Sequence, residues 1–355
     1  MTTRTALVMA GGTGGHIFPG LAVAELLRSR GWHVHWLGAP VPSMESQLVP
    51  PKGFVFEAVR FGGVRGKGVI TMALLPVRLL QAFWQSLKVV RRLKPDVLVG
   101  LGGYISFPGG MMGVLCGKPL VLHEQNSVAG LANKVLAQVA DRVLSAFPGV
   151  LPKAQWVGNP MRTAFLEQDT PAQRFEGRQG VLKVLVVGGS LGAQALNSVV
   201  PQALALIPAE QRPQVIHQGG AKHLDTLTTN YAAAGVQAEL TAFIEDTAAA
   251  FAKADLVICR AGASTVSEIS AVGAAALFVP FPHAVDDHQT VNAKFLVEQQ
   301  AGWCMPQHSL TPQALADFLQ HTSRAQLSEA AHNAYALRKT SAAQAVVAAC
   351  EEVSA

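Results

Sequence analysis

Charge is scarce in this 355-residue chain: Asp, Glu, Lys and Arg make up 14% of it, against 50% hydrophobic residues. So apolar a composition excludes global disorder, and the length favours two cores over one. Cysteine is scarce as well. Cys116, Cys259, Cys304 and Cys350 stand far apart with no C-x-x-C pair, which excludes a disulfide framework and leaves buried thiols in a reducing compartment. An uninterrupted apolar span is also missing. Val97–Gly117 runs 21 residues without a charge but contains seven glycines and Pro108, so a strand, a glycine loop and a short helix fit it better than a membrane crossing. At the start of the chain only five apolar residues, Ala6–Ala10, precede the first glycines, too few for a signal-peptide core. A soluble protein is expected.

Two further absences narrow the chemistry. Neither glycine-rich turn matches G-x-G-x-x-G, and no carboxylate follows the second strand until Glu45, so a nicotinamide dinucleotide site is disfavoured. No Asp-x-Asp motif is present, and no metal or other cofactor is expected.

What the chain does have is a pair of strand–glycine turn–helix units. The first is Ala6-Leu-Val-Met-Ala-Gly-Gly-Thr-Gly-Gly-His16, with a helical pattern from Ile17; the second is Lys183-Val-Leu-Val-Val-Gly-Gly-Ser-Leu-Gly-Ala193, with a helical pattern from Gln194. Such turns leave backbone N–H groups unpaired at a helix N-terminus, where the dipole favours phosphate. The formal charge of +5 agrees with an anionic partner. Continuous Val/Ile/Leu runs predict strands at 6–10, 33–37, 97–101, 120–123, 143–145, 184–187, 214–217, 256–259 and 276–279. Runs of this kind predict parallel strands buried on both faces. The expected fold is α/β, with two Rossmann-like, doubly wound parallel-sheet domains facing each other across a cleft. The first domain is expected over 1–160 and the second over 161–340, with a turn at Gly158-Asn-Pro between them and a final helix over 341–355 packing back on the first.

Several strand ends carry chemistry. His16 opens a helix at the first turn, where a cationic helix end would keep an imidazole deprotonated and ready as a general base. Gly100-Leu-Gly-Gly-Tyr-Ile-Ser-Phe-Pro-Gly-Gly110 predicts a second backbone N–H concavity beside the first, suited to a pyrophosphate. His123-Glu-Gln-Asn126 places four polar side chains at another strand end, where facing a ligand is the favoured reading; Glu124 is the reserve candidate for the base. In the second half Glu268 lies one turn into a helix, either complementing its dipole or accepting both ribose hydroxyls of a nucleotide. Gln289, at the start of a later helix, can reach a sugar hydroxyl.

The motifs Gly11-Gly-Thr-Gly-Gly-His16, Gly102-Gly-Tyr, His123-Glu-Gln-Asn126, Gly158-Asn-Pro-x-Arg162, Gly188-Gly-Ser-x-Gly-Ala193, Arg260-x-Gly-Ala-x-Thr-Val-Ser-Glu268 and Asp287-His-Gln-Thr-x-Asn-Ala293 together resemble the bacterial MurG glycosyltransferases, in the same order over essentially the whole chain. The chain departs from some relatives in having His288-Gln289 where they have Gln-Gln. The resemblance implies the GT-B fold and an inverting transfer of GlcNAc from UDP-GlcNAc to the muramic acid C4 hydroxyl of undecaprenyl-linked lipid I, giving lipid II. It further implies that Ser190 and its turn hold the diphosphate with added charge from Arg162. Ile244 and the backbone of Ala263, Ser264 and Thr265 would meet uracil, with Val266 and Ser267 in the same binding segment. Glu268 would bind the ribose and Gln289 the GlcNAc hydroxyls, and Thr13, Gly14, Gly15 and Asn126 would close over the donor sugar.

A lipid acceptor demands a membrane. Pro76–Leu93 predicts a helix with Arg78, Gln81, Gln85, Lys88 and Arg92 on one stripe and Leu80, Phe83, Leu87 and Val90 on another, after a loop with Arg60, Phe61, Arg65, Lys67, Val69 and Ile70. The expectation is a reversible, peripheral contact with anionic lipid at the cytoplasmic face of the bacterial inner membrane, with cell-wall synthesis or division proteins as partners and no nucleic acid. The rival readings are another GT-B UDP-sugar enzyme, a UDP-GlcNAc epimerase, or a non-catalytic nucleotide-sugar-binding protein.

Overall fold

The computed structural model describes residues 4–62, 74–189 and 192–355, with Val285 described by its backbone alone. The chain divides into two compact units: Met1–Arg162 together with Ser341–Ala355, and Thr163–Thr340.

The first unit is built on a parallel sheet of β1 (Thr5–Met9), β2 (His33–Gly38), β3 (Val55–Ala58), β4 (Val97–Gly100), β5 (Leu120–Glu124), β6 (Arg142–Ser145) and β7 (Gln155–Trp156). The spatial order is β3-β2-β1-β4-β5-β6-β7. Strand β1 shows why its sequence is an unbroken apolar run. Ala6, Val8 and Ala10 pack on one face with Ile17, Leu21 and Ala24. Leu7 and Met9 pack on the other with Leu37, Leu98 and Leu122. Alternate residues thus serve two cores, and a polar residue in either set would be buried without a partner. Trp36 fills the first of these cores and donates its indole N–H to the Ala10 carbonyl at 2.9 Å. Gly20 makes room for it, since a Cβ there would lie 2.6 Å from the indole ring.

The last helix, Ala342–Val353, buries Ala342, Val346, Val347, Ala349 and Cys350 in the core of this first unit, on the side of Ile17 and Leu21. Arg30 pairs with Glu351 at 2.8 Å and Arg142 with Glu352, fixing the helix from two strand-flanking positions. Burial pushes the Cys350 thiol up to about 12, so it is an inert core residue.

The second unit repeats the pattern. Strands β8 (Lys183–Val187), β9 (Gln214–Gln218), β10 (Glu239–Thr241), β11 (Leu256–Cys259), β12 (Ala276–Phe278) and β13 (Trp303–Cys304) form a parallel sheet in the order β10-β9-β8-β11-β12-β13. Counted within its own unit, this is the strand order of the first six strands of the other sheet. In each sheet the order reverses beside the strand that carries a glycine turn, and this switch point is where doubly wound folds bind ligands. On one face Val184, Val186, Ile258 and Leu277 pack on Leu196, Val200, Leu204, Leu315 and Leu327. At the opposite, N-terminal edge of the sheet, Asp255 accepts the Lys183 N–H at 2.8 Å and pairs with Arg178 at 2.8 Å and Arg324 at 3.3 Å. Burial opposes ionisation of Asp255, yet these donors hold its carboxyl below the ordinary range.

Candidate active site

In the first unit the turn after β1 runs through Gly12 at φ 87° into the helix Gly14–Ser29, which Thr13 precedes in extended conformation without a side-chain cap. The helix thus begins three residues earlier than the pattern from Ile17 suggested, and His16 sits inside its first turn. The glycine turn after β4 touches the first: a Cβ on Gly103 would fall 2.3 Å from the Gly11 carbonyl, and one on Gly102 would fall 2.7 Å from His16 Nδ1. Gly102 and Gly103 both have positive φ, 87° and 81°. Any side chain here would push the two strand ends apart and displace the imidazole.

The pyrophosphate expected between these turns meets an obstacle that pattern reading missed. Glu45, on the short helix Met44–Leu48, is buried. Its carboxylate accepts the Gly12 N–H at 3.1 Å and the Ala39 N–H at 3.0 Å. One donor of the first turn is thus already spent on an anion, and that anion repels a second one from the same turn. The His123–Asn126 expectation also needs correction. His123, Glu124 and Gln125 are buried and face inward. Glu124 accepts the Asn126 N–H at 2.9 Å, the Gly130 N–H at 3.3 Å and the Asn133 amide at 2.8 Å. Its oxygens hold the 126–133 loop, so it is unsuited to the reserve role of general base. Asn126 is the member of the cluster left half-buried at the strand end.

His123 donates from Nε2 to the Gly158 carbonyl at 2.8 Å, Gln125 Nε2 lies 3.1 Å from His123 Nδ1, and Gln125 Oε1 lies 3.0 Å from His16 Nδ1. Burial lowers His123 to about 4. A chain of three side chains thus joins the His16 ring to the backbone at the end of the unit. Arg162 closes that segment with its guanidinium 5.7 Å from the ring of Phe18, two residues after His16 in the same helix.

In the second unit the candidate residues line the C-terminal ends of β8 to β12. Ser190 lies outside the described residues. Around it, Gly189 and Gly192 have positive φ, 82° and 75°, and the helix Gln194–Ala205 follows. Beneath this turn stands Gln218, a residue the sequence reading passed over. Its Oε1 accepts the Gly189 N–H at 3.2 Å. Its amide donates to the Gly189 carbonyl at 3.2 Å and to Ala242 at 2.9 Å, so one neutral side chain ties the glycine turn to the loop that carries Ile244. Asn197, one turn into the following helix, donates to Gly219 at 3.1 Å and is joined to buried His217 and Tyr231. Burial lowers His217 to about 3.

The turn after β11 leads into the helix Ala263–Val272. Val266 is fully buried and its N–H is donated to the Gly262 carbonyl at 2.9 Å, so the contact expected of it is not offered by this structure. Ser264 Oγ is buried without a hydrogen-bond partner in the structure, in the first turn of that helix. Thr265, Ser267 and Glu268 are half-buried beside it. Gln289 accepts the Phe281 N–H at 2.9 Å and the Ala261 N–H at 3.3 Å through Oε1, which leaves its amide hydrogens for a ligand. The two residues before its helix, Asp286 and Asp287, both have positive φ, 53° and 49°, a costly backbone for non-glycine residues and one that clusters at functional sites. Arg260, quoted in the sequence motif without a role, donates to Val279 and Pro280 at 3.1 and 3.2 Å and to Gln307 at 2.7 Å; it braces the β11 and β12 turns. Among the described residues no group of His, Cys, Asp and Glu is arranged to hold a metal ion.

Two doubly wound sheets, each with a glycine turn at its switch point, are the architecture of the GT-B fold, and the solved calicheamicin glycosyltransferase CalG4 shares this fold at a TM-score of 0.68 and 15% identity over 99% of this chain and 100% of its own. The glycosyltransferase family 28 N-terminal domain matches residues 6–145 and the family 28 C-terminal domain residues 183–347. The UDP-N-acetylglucosamine–N-acetylmuramyl-(pentapeptide) pyrophosphoryl-undecaprenol N-acetylglucosamine transferases of Polaromonas sp. strain JS666 and Polaromonas naphthalenivorans are 69% and 70% identical over 99% of this chain and 92% and 99% of their own. The crystal structure of Acinetobacter baumannii MurG aligns at a TM-score of 0.85 and 39% identity over 98% of this chain and 99% of that one. The chain belongs to glycosyltransferase family 28 and, within it, to the MurG group.

Proposed function

We propose that the chain transfers GlcNAc from UDP-GlcNAc to the C4 hydroxyl of the muramic acid residue of undecaprenyl-linked lipid I, producing lipid II and UDP for peptidoglycan synthesis. The observation that carries this reading is the 69–70% identity to the Polaromonas transferases along nearly the full chain. In this reading the second unit holds the donor. The Gly188–Gly192 turn, Ser190 included, and the helix N-terminus behind it bind the diphosphate, with Arg162 adding charge. Ile244 and the backbone of Ala263–Thr265 meet uracil, with Ser264 Oγ available for a polar atom of the ligand. Glu268 accepts the ribose hydroxyls, and the Gln289 amide donates to a GlcNAc hydroxyl. Thr13–Gly15 and Asn126 serve the donor sugar from the first unit.

The chemistry asked of the first unit is proton removal. His16 takes the proton of the acceptor hydroxyl as its oxygen bonds to the anomeric carbon. The bond from that carbon to the diphosphate breaks, its electron pair leaves with UDP, and the configuration inverts. Backbone N–H groups at the helix end meet the charge that develops on the leaving group. The test is incubation with radiolabelled UDP-GlcNAc and a short-chain lipid I analogue. Label should enter the lipid product, and a folded sample that transfers none sinks the reading.

A lipid acceptor requires contact with a bilayer. The helix Leu75–Leu93 carries Arg78, Lys88, Arg91 and Arg92 and no carboxylate. It buries Ala82, Ser86, Val89 and Val90, while Val77, Leu80 and Trp84 are 63%, 68% and 57% exposed. The apolar stripe expected over Leu80, Phe83, Leu87 and Val90 is therefore split: Val90 is core, and the outward apolar face is Val77, Leu80 and Trp84, with Lys88 stacked on the indole at 3.4 Å. Arg65, Lys67, Val69 and Ile70 lie outside the described residues, in which no helix is long and apolar enough to cross a membrane. We take this face as a peripheral contact with anionic lipid at the cytoplasmic side of the inner membrane. Each cation near such a surface contributes about 1 kcal/mol, so Arg78→Gln combined with Lys88→Gln should weaken binding to anionic vesicles by on the order of tenfold or more; unchanged binding in a sedimentation assay excludes this face.

A further inference from the structure

We infer that Gln125 is a positioning residue that holds His16 as its Nδ1–H tautomer, through a neutral relay anchored on the Gly158 carbonyl. The inference deepens the reading of His16 as the base and rests on it for its catalytic meaning, though not for its geometry.

The assignment follows from one fixed end. A carbonyl oxygen only accepts, so His123 Nε2, 2.8 Å from Gly158 O, carries a hydrogen. His123 is fully buried and its pKa is lowered to about 4 by that burial, so near neutral pH the ring is uncharged and Nδ1 bears a lone pair. Only the NH2 end of Gln125 can face a lone pair, and that end lies 3.1 Å from Nδ1 and 3.3 Å from the His123 carbonyl. The amide is thereby oriented, and its Oε1 is turned to His16 Nδ1 at 3.0 Å. An amide oxygen accepts, so His16 Nδ1 carries the hydrogen and the lone pair of the neutral ring sits on Nε2. A flipped Gln125 would set acceptor against acceptor at His123.

The opposite tautomer, Nε2–H, is the one that histidine favours in water. A ring in that form has its basic nitrogen buried against Gln125 and Gly102, since a Cβ on Gly102 would fall 2.7 Å from His16 Nδ1 and 3.2 Å from Gln125 Oε1. The relay thus places the lone pair on Nε2, the ring nitrogen not engaged by Gln125. It does so without a carboxylate, as the hydrogen bond made by one ring nitrogen decides the state of the other.

The experiment is long-range 1H–15N correlation NMR of the full chain labelled with 15N-histidine, in mildly alkaline buffer, with His16→Ala and His123→Asn spectra for assignment. His16 should show a protonated Nδ1 and a bare Nε2, and His123 the reverse. Gln125→Leu should shift His16 toward Nε2–H and lower kcat by roughly 10²-fold, the scale of a lost general base, with the KM for UDP-GlcNAc within about twofold of the wild type. Gln125→Glu keeps an acceptor for His16 and should retain its Nδ1–H signature and more activity than Gln125→Leu. The oxygen that replaces the NH2 faces the His123 Nδ1 lone pair and should change the His123 signals alone, by taking a proton or by forcing that ring over. A wild-type His16 protonated on Nε2 overturns the inference, as does an unshifted tautomer in Gln125→Leu; if that variant does not fold, the wild-type spectrum decides alone. His16 found as Nδ1–H while His16→Ala keeps its kcat would instead overturn the base reading and leave the relay standing.

Discussion

The two glycine turns of this chain look equivalent in sequence, yet they rest on different side chains. Behind the first, Glu45 puts a carboxylate on the Gly12 N–H at 3.1 Å. Behind the second, Gln218 puts a neutral amide on the Gly189 N–H at 3.2 Å. A unit charge about 6 Å from a phosphate, at an effective dielectric constant near 20, costs roughly 3 kcal/mol. On the proposed donor assignment that difference favours the second turn for the diphosphate, and it lies in a residue far from each glycine in sequence. The first turn instead presents a side chain, His16, held by its relay. Strand–glycine–helix geometry offers donors, and the residue behind the turn determines whether an anion can use them.

The largest effect that would test this division is His16→Ala. If the first turn works through its side chain, kcat should fall by ~10²–10⁴-fold. UDP binding, measured by calorimetry, should change less than about twofold, because the uracil, ribose and diphosphate-turn contacts are assigned to the second unit and His16 to none of them. A parallel loss of UDP affinity would make the first turn part of the phosphate site and collapse the distinction.

A second effect compares the two units by stability. Each contains one buried histidine kept neutral: His123 is lowered to about 4 and His217 to about 3 by burial. In the unfolded chain both titrate near 6.5. Below that value the unfolded state takes up protons that the native state refuses, so stability is full above about pH 6.5 and is lost as pH falls toward the folded values. Each histidine then withdraws about 2 kcal/mol between pH 7 and 5. Thermal melts should show this loss, with His123→Asn and His217→Asn each removing its own share. A melting temperature flat from pH 7 to 5 would mean that these rings already carry a proton in the native state.

Third comes Gln218→Glu, which builds beneath the second turn the charge that Glu45 places beneath the first. UDP affinity should fall by on the order of 10–10²-fold, the electrostatic cost given above, with Gln218→Met as the neutral control that keeps most of the affinity. Equal losses in both variants would show that Gln218 matters by holding the Gly189 and Ala242 backbone in place, and the comparison would lose its electrostatic meaning.

How much of this was legible beforehand depends on position in the sheet. The central strands could be found because both their faces are covered. Leu256–Cys259, for instance, is a bare apolar run in which every residue is buried. The four strands that pattern reading missed, Val55–Ala58, Gln155–Trp156, Glu239–Thr241 and Trp303–Cys304, are the edges of the two sheets. They are two to four residues long and partly exposed, so they carry neither an apolar run nor a full alternation. The site divides in the same way. The glycine turns and the strand-end placement of His16, Glu268 and Gln289 could be read because strand-end patterns are local. Glu45, Gln218 and the inward turn of His123–Gln125 could not, because what they do is set by partners such as Gly12, Gly189 and Gly158. The Ser43 and Ser46 capping box beside Glu45 was the one local signal that a helix folds back there.

The smallest expected effect sharpens the comparison most. Glu45→Gln removes the anion beneath the first turn while keeping its shape. The amide can accept only one of the two N–H groups that Glu45 now binds at Gly12 and Ala39, so the variant should lose roughly 1–3 kcal/mol of stability from the donor left unpaired. Its affinity for UDP should nevertheless stay within about twofold of the wild type, since the diphosphate turn is assigned to the other unit. Calorimetry on the folded variant gives the answer. A rise of tenfold or more in UDP affinity, or a second UDP bound per chain, would mean that Glu45 had been suppressing a working phosphate site in the first turn. The carboxylate would then be an active barrier to a misplaced donor, and the two turns would differ by that one side chain alone.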